Sequence, residues 1–164
     1  MKFQETLARG MAFEHGEALD VLHKLFPHCL IMNNQVDPVE STNNKVVGPR
    51  LYRGENRQEE FVAPDFVVFN EEGLAVWVDA KLKGKAYVHA QNKRMYLTID
   101  KKKQSYYASF PAFMLDNFFL LFKNEASGKV YLTKFQTEPD TIYFNNKWGT
   151  GHTPIYYLDE LVEV

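Results

Sequence analysis

The chain has 164 residues, a net charge of −2 and 45% apolar residues, enough to bury a substantial core and to read as one domain over residues 1–164. No apolar run approaches the ~18–20 residues that cross a bilayer, which argues against a membrane partner. Cys29 is the only cysteine, excluding an intrachain disulfide or a cysteine zinc cluster, and the opening residues lack the apolar stretch of a secretory signal, so a cytoplasmic location is expected.

Residues 4–26 place Leu7, Met11, Ala18, Val21, Leu22 and Leu25 at the spacing of an amphipathic helix. Glu14 falls on that stripe, where an acid is neutralised, paired or close to a metal, unless it reaches past the stripe to solvent. Glu17, one turn further on, is the reserve for the same role. Residues 29–32 predict a short buried strand. The connection over 33–58 is polar, with a candidate strand at Lys45-Val46-Val47 or at Arg50-Leu51-Tyr52.

Two apolar runs follow, residues 61–69 and 74–82, each carrying charge. Pro64-Asp65 lies in the first and Asp79-Ala80-Lys81 in the second. A three-residue loop Glu71-Glu72-Gly73, with its glycine in the left-handed position, pairs Asn70 with Leu74. Counting outward then pairs Asp65 with Asp79, whose Cβ atoms would lie about 4.5–5.5 Å apart. Lys81 shares the Asp79 face by the strand period of two, while Leu74, Val76, Val78, Ala80 and Leu82 form a core face. Charges taken out of water without partners cost several kcal/mol, and a divalent metal is the common partner for two acids at once.

Residues 81–103 hold eight basic side chains, Lys81, Lys83, Lys85, Lys93, Arg94, Lys101, Lys102 and Lys103, against the single acid Asp100. This stretch carries +7, so with a total of −2 the remaining residues carry −9. Such a field attracts phosphates, and the interleaved Tyr87, His89, Tyr96, Tyr106 and Tyr107 offer stacking surfaces. The competing reading is a solvated hairpin and a lysine-rich helix start. Residues 100–110 predict a helix, with Asp100 as N-cap and Pro111 closing it. Residues 118–123 predict a buried strand, 124–128 a turn and 130–135 a returning strand. The five histidines show no metal-ligand spacing. Gly149-Thr150-Gly151 lacks a phosphate-loop lysine, and no serine sits in a nucleophile elbow.

Pro64-Asp65 followed by Asp79-Ala80-Lys81 on the next strand resembles the signature of the PD-(D/E)xK nuclease superfamily, over roughly residues 10–135. The resemblance implies an α/β, restriction-endonuclease-like αβββαβ core, a mixed central sheet flanked by helices. It also implies a catalytic set of Glu14, Asp65, Asp79 and Lys81. Asp65, Asp79 and the Ala80 carbonyl would hold Mg²⁺, with Mn²⁺ as substitute, and Glu14 a second ion or its water. Lys81 would stabilise charge on the scissile phosphate. Lys83, Lys85, Lys93, Arg94 and Lys101, Lys102 and Lys103 would grip flanking DNA phosphates.

Exonucleases related to the phage lambda enzyme usually carry Gln followed by Tyr four residues later on the next helix. Here Gln104 is followed by Tyr107 at three, a departure that leaves Gln104 only as a phosphate contact. The small size favours a structure-selective, resolvase-like endonuclease in recombination, repair or phage DNA processing, for which a homodimer is expected. The alternatives are a DNA exonuclease of the same superfamily and a non-catalytic nucleic-acid-binding or assembly module.

Overall fold

The computed structural model describes residues 2–34, 49–147 and 149–164, so the candidate strand at Lys45-Val46-Val47 lies outside the described residues. The architecture is mixed α/β, rich in sheet with few helices. The chain divides into two compact units, Met1–Ala80 with Asn117–Phe119, and Lys81–Asp116 with Leu120–Val164.

In the first unit the expected N-terminal helix is interrupted. Helix α1 (Lys2–Ala12) passes into a π-helical turn (Phe13–Glu17) and then α2 (Ala18–Leu25), the Ala18 N–H bonding to the Phe13 carbonyl five residues back. The extra residue rotates the chain beyond it by roughly 100°. The buried positions are consequently Phe13, Ala18 and Leu22, spaced five and four apart, and Glu14 is half-buried beside that line instead of on it. Pro27 lies two residues beyond the end of α2 and cannot continue it.

Strands β1 (Leu30–Asn33), β4 (Phe66–Phe69) and the first six residues of β5 (Ala75–Lys83) pair antiparallel in the order β1-β4-β5. The expectation that residues 29–32 are a buried strand is corrected here. Among the described residues strand β1 is an edge, hydrogen-bonded on one side, and Leu30 is 77% exposed. Strand β4 carries the core instead, with Phe66, Val67 and Val68 buried, each worth about 1.5–3 kcal/mol over leaving it in water. A separate hairpin joins β2 (Arg50–Arg53), as expected at Arg50-Leu51-Tyr52, to β3 (Glu59–Val62). Exposed Arg50–Glu60 and Arg53–Glu59 pairs cross it, contributing little.

The second unit holds the last three residues of β5. It continues with β6 (Tyr87–Val88), β7 (Met95–Thr98), α3 (Lys101–Ala108) and α4 (Ala112–Leu115). Then come β8 (Phe118–Asn124, from Leu120 in this unit), β9 (Lys129–Lys134), β10 (Thr141–Asn146), β11 (Gly149–Tyr157) and β12 (Val162–Glu163). One sheet runs β5-β8-β9-β12 and another β10-β11-β7-β6. Strand β8 is the continuous apolar run, with Leu120, Leu121 and Phe122 fully buried. Asp100 caps α3 as its sequence position suggests, accepting from the backbone N–H groups of Lys102 and Lys103 at 2.9 and 3.1 Å.

Candidate active site

The turn between β4 and β5 sets the register of the two acids. Gly73 has φ +76°, and its N–H bonds to the Asn70 carbonyl at 3.0 Å. Asn70 Oδ1 also accepts from the N–H groups of Glu72 and Leu74. A side-chain acceptor followed by a left-handed glycine is what a three-residue hairpin loop needs. The ladder therefore runs from Phe69↔Ala75 to Phe66↔Val78. Continued outward, the same register sets Asp65 opposite Asp79 and Pro64 opposite Ala80.

The ladder stops there for a chemical reason. The Trp77 N–H points away from β4, to the Asn117 carbonyl, so Val76, Val78 and Ala80 present their peptide groups to β4. Pro64, opposite Ala80, has no N–H to give the Ala80 carbonyl. Its carbonyl accepts from Asn34 Nδ2 at 3.0 Å, and the Ala80 N–H is given elsewhere. The Asp65 carboxylate fills the gap, Oδ2 accepting the Ala80 N–H at 2.8 Å. Asp79 is 4% exposed, and Asp65 and Glu14 are half-buried.

The continued register sets Asp65 opposite Asp79 and beside Ala80, and the carboxylate and carbonyl oxygens of these residues are hard ligands. They suit an ion such as Mg²⁺ that takes one or two carboxylates and keeps several waters. A third acid is a different matter. Glu14 is half-buried on the π-helical turn, and among the described residues no group of three His, Cys, Asp or Glu side chains that could hold a metal is found.

In the second unit, Lys81 Nζ donates to the Tyr107 hydroxyl at 3.2 Å and lies 5.6 Å from the Tyr107 ring centroid. The Tyr107 ring is fixed in turn against Phe110 and edge-on to Phe135. Lys83 is half-buried, and desolvation first, then the Lys81 charge, push its pKa below the usual lysine range, partly offset by Asp100. Lys85 rides over the Tyr87 ring at 5.2 Å. Lys101, Lys102 and Lys103 are exposed on the first turn of α3.

Three of the expected nucleic-acid contacts have other occupations. Arg94 donates to Asp159 and Glu160 and lies 3.7 Å from the centroid of the Tyr157 ring. The bond to Asp159, then that to Glu160, raises its pKa, and Asp159 is lowered in return. Lys93 Nζ donates to the Ala90 carbonyl within its own loop at 2.8 Å. Gln104 is buried, giving Nε2 to the Gln136 carbonyl at 2.7 Å, while Oε1 accepts from the Tyr156 hydroxyl at 3.4 Å. Burial pushes the Tyr156 pKa up to about 12, despite the opposing hydrogen bond from the Gln136 backbone.

Two residues of the site were not legible in advance. Asn34 shows in the sequence only as one more polar residue after a short strand, and Tyr107 as one of several tyrosines among basic residues. No protein-family model, curated protein or solved structure matches this chain.

Proposed function

We propose that this chain is a metal-dependent nuclease of the PD-(D/E)xK type that hydrolyses phosphodiester bonds in DNA. The observation that carries this reading is the Asp65–Ala80 hydrogen bond. It holds the acid of Pro64-Asp65 onto the backbone of Asp79-Ala80-Lys81, at a point where the ladder has been opened.

Asp65, Asp79 and the Ala80 carbonyl would hold a divalent cation of the Mg²⁺ or Mn²⁺ kind, which when bound brings water toward neutral pKa and neutralises phosphate charge. The protein's own groups do the positioning. Asp65 engages Oδ2 with the Ala80 N–H, which fixes the direction of its other carboxylate oxygen. Lys81 follows Ala80 directly on β5 and offers an ammonium that is already oriented by Tyr107. Its role is to donate to a non-bridging oxygen of the scissile phosphate as charge builds there. Lys83, Lys85 and the Lys101, Lys102 and Lys103 cluster supply sequence-independent attraction for flanking phosphates. Half-buried Lys83 would gain most from an anion, since the strain on its charge would be relieved. The small size keeps a resolvase-like endonuclease as the preferred form, acting as a homodimer on a branched substrate.

A second reading is a DNA-binding or assembly module of the same kind without catalysis. It would need only the exposed Lys101, Lys102 and Lys103 of α3, which attract phosphates whatever the acids do. Labelled linear, single-stranded and four-way-junction DNA, incubated with Mg²⁺, Mn²⁺ or EDTA, separates the two. Metal-dependent products support the nuclease, and the preferred substrate distinguishes resolvase from exonuclease. Retention of DNA that is equal in EDTA, with no product from any substrate, supports the module.

A further inference from the structure

We propose that Asn34 is the positioning residue for Asp65. It acts by turning the Pro64-Asp65 peptide out of the β4–β5 ladder, so that the carboxylate takes the place of the missing backbone acceptor. The inference rests on the metal-site reading above for its functional consequence, and on hydrogen bonds alone for its geometry.

Asn34 is 7% exposed, one residue past the end of β1. The β1–β4 register, ending at Asn33↔Phe66, continues to Asn34 opposite Asp65, and the Asn34 N–H donates to the Asp65 carbonyl at 2.8 Å. The main chain of Asn34 thus keeps Asp65 in register with β1. Its side chain does the opposite for Pro64. Nδ2 draws the Pro64 carbonyl to itself at 3.0 Å, although a regular strand would aim that carbonyl at the Ala80 N–H.

A buried N–H left without an acceptor costs about 1–3 kcal/mol, so the displaced Ala80 N–H needs a substitute. The nearest acceptor by sequence is the next side chain, and Asp65 Oδ2 supplies it. One buried amide therefore makes two exchanges. It removes the Pro64 carbonyl from the ladder and leaves a place that only the Asp65 side chain fills. Since Pro64 also has no N–H, neither half of the normal bond pair forms between residues 64 and 80. Partners one shell out from a metal ligand commonly change metal affinity or activity by ~10–100-fold when removed.

Amide hydrogen exchange of the full chain, together with Mn²⁺ titration followed by electron paramagnetic resonance, tests the assignment in Asn34→Asp and Asn34→Leu. Aspartate keeps the size and loses the donor, so it remains informative if the leucine variant folds poorly. The expected result is exchange at Ala80 at least ~10-fold faster, while Val76 and Val78, whose ladder bonds to β4 do not depend on Asn34, keep their protection. Mn²⁺ affinity should fall by ~10-fold or more. Ala80 protection that is unchanged, or that falls only in step with Val76 and Val78, overturns the proposal, as does unaltered Mn²⁺ affinity. If the wild type binds no Mn²⁺, the metal reading fails, and the exchange result alone decides whether Asn34 places Asp65.

Discussion

Asp65 reaches across the β4–β5 hairpin to the backbone of Ala80, its Oδ2 accepting the N–H at 2.8 Å. An acid used this way has two separable properties, acceptor capacity and charge. Asp65→Asn keeps an oxygen acceptor for the Ala80 N–H and removes the charge. It should unfold in urea within about 1 kcal/mol of wild type and lose metal-dependent cleavage. Asp65→Ala leaves the N–H without its acceptor and should cost about 1–3 kcal/mol in addition to losing cleavage. Equal stability of the two variants would mean that the Ala80 contact contributes nothing.

Tyr107 orients the Lys81 ammonium through both its hydroxyl and its ring face. Tyr107→Phe retains the packing against Phe110 and Phe135 and deletes only the hydroxyl. Single-turnover cleavage should slow by about tenfold, equivalent to ~1.4 kcal/mol, with little change in KM. A rise in KM at constant kcat would instead mark Tyr107 as a substrate-binding residue.

Arg94 and the α3 lysines differ in availability despite their shared charge. Replacing Lys101, Lys102 and Lys103 together by Gln should lower the slope of log affinity for DNA against log salt by up to about 0.9 per lost phosphate contact. Arg94→Gln should leave that slope unchanged, because its guanidinium is committed to Asp159 and Glu160. A drop in slope for Arg94→Gln would show that DNA displaces those carboxylates.

Lys83 carries charge in a place that disfavours it. With a folded-state pKa below the unfolded one, the unfolded chain binds more protons as pH approaches the ordinary lysine range. Stability attributable to this group therefore rises with pH there. Lys83→Met should accordingly be more stable than wild type at pH 7, with the gain shrinking as pH nears about 10. Chemical denaturation at a series of pH values reads this directly, and a variant less stable at pH 7 would contradict it.

For Asp159 the sign is reversed. Its pKa is depressed chiefly by the bond to Arg94, so its contribution is present above the ordinary carboxylate value and lost as pH falls through the depressed one. The stability difference between wild type and Asp159→Asn should narrow below about pH 4. A difference that persists unchanged to pH 2 would rule out this pairing as its source.

Local rules were enough to read the hairpin. Asn70 and Gly73 determine the turn, the turn determines the register, and the register sets Asp65 against Asp79 without reference to the rest of the chain. Asp100 as N-cap and the buried run of β8 were legible for the same reason. The π-helical turn was not, because helical spacing assumes a constant 3.6 residues per turn, and one added residue moved the buried place from Glu14 to Phe13. The exposure of strand β1 is not readable either, because four apolar-looking residues do not reveal that they form an edge. Asn34 depends on a partner thirty residues away, and Arg94 and Gln104 on partners 65 and 32 residues away. No local pattern announces such pairs. Charge alone made Arg94 look like a phosphate ligand, where tertiary structure has spent it on two carboxylates.

The most direct test is single-turnover cleavage of DNA by wild type, Asp79→Ala and Lys81→Ala, each with Mg²⁺ and with EDTA. The nuclease account predicts products from wild type only when metal is present, and none above background from either variant. Cleavage that survives both substitutions, or that proceeds in EDTA, would contradict it.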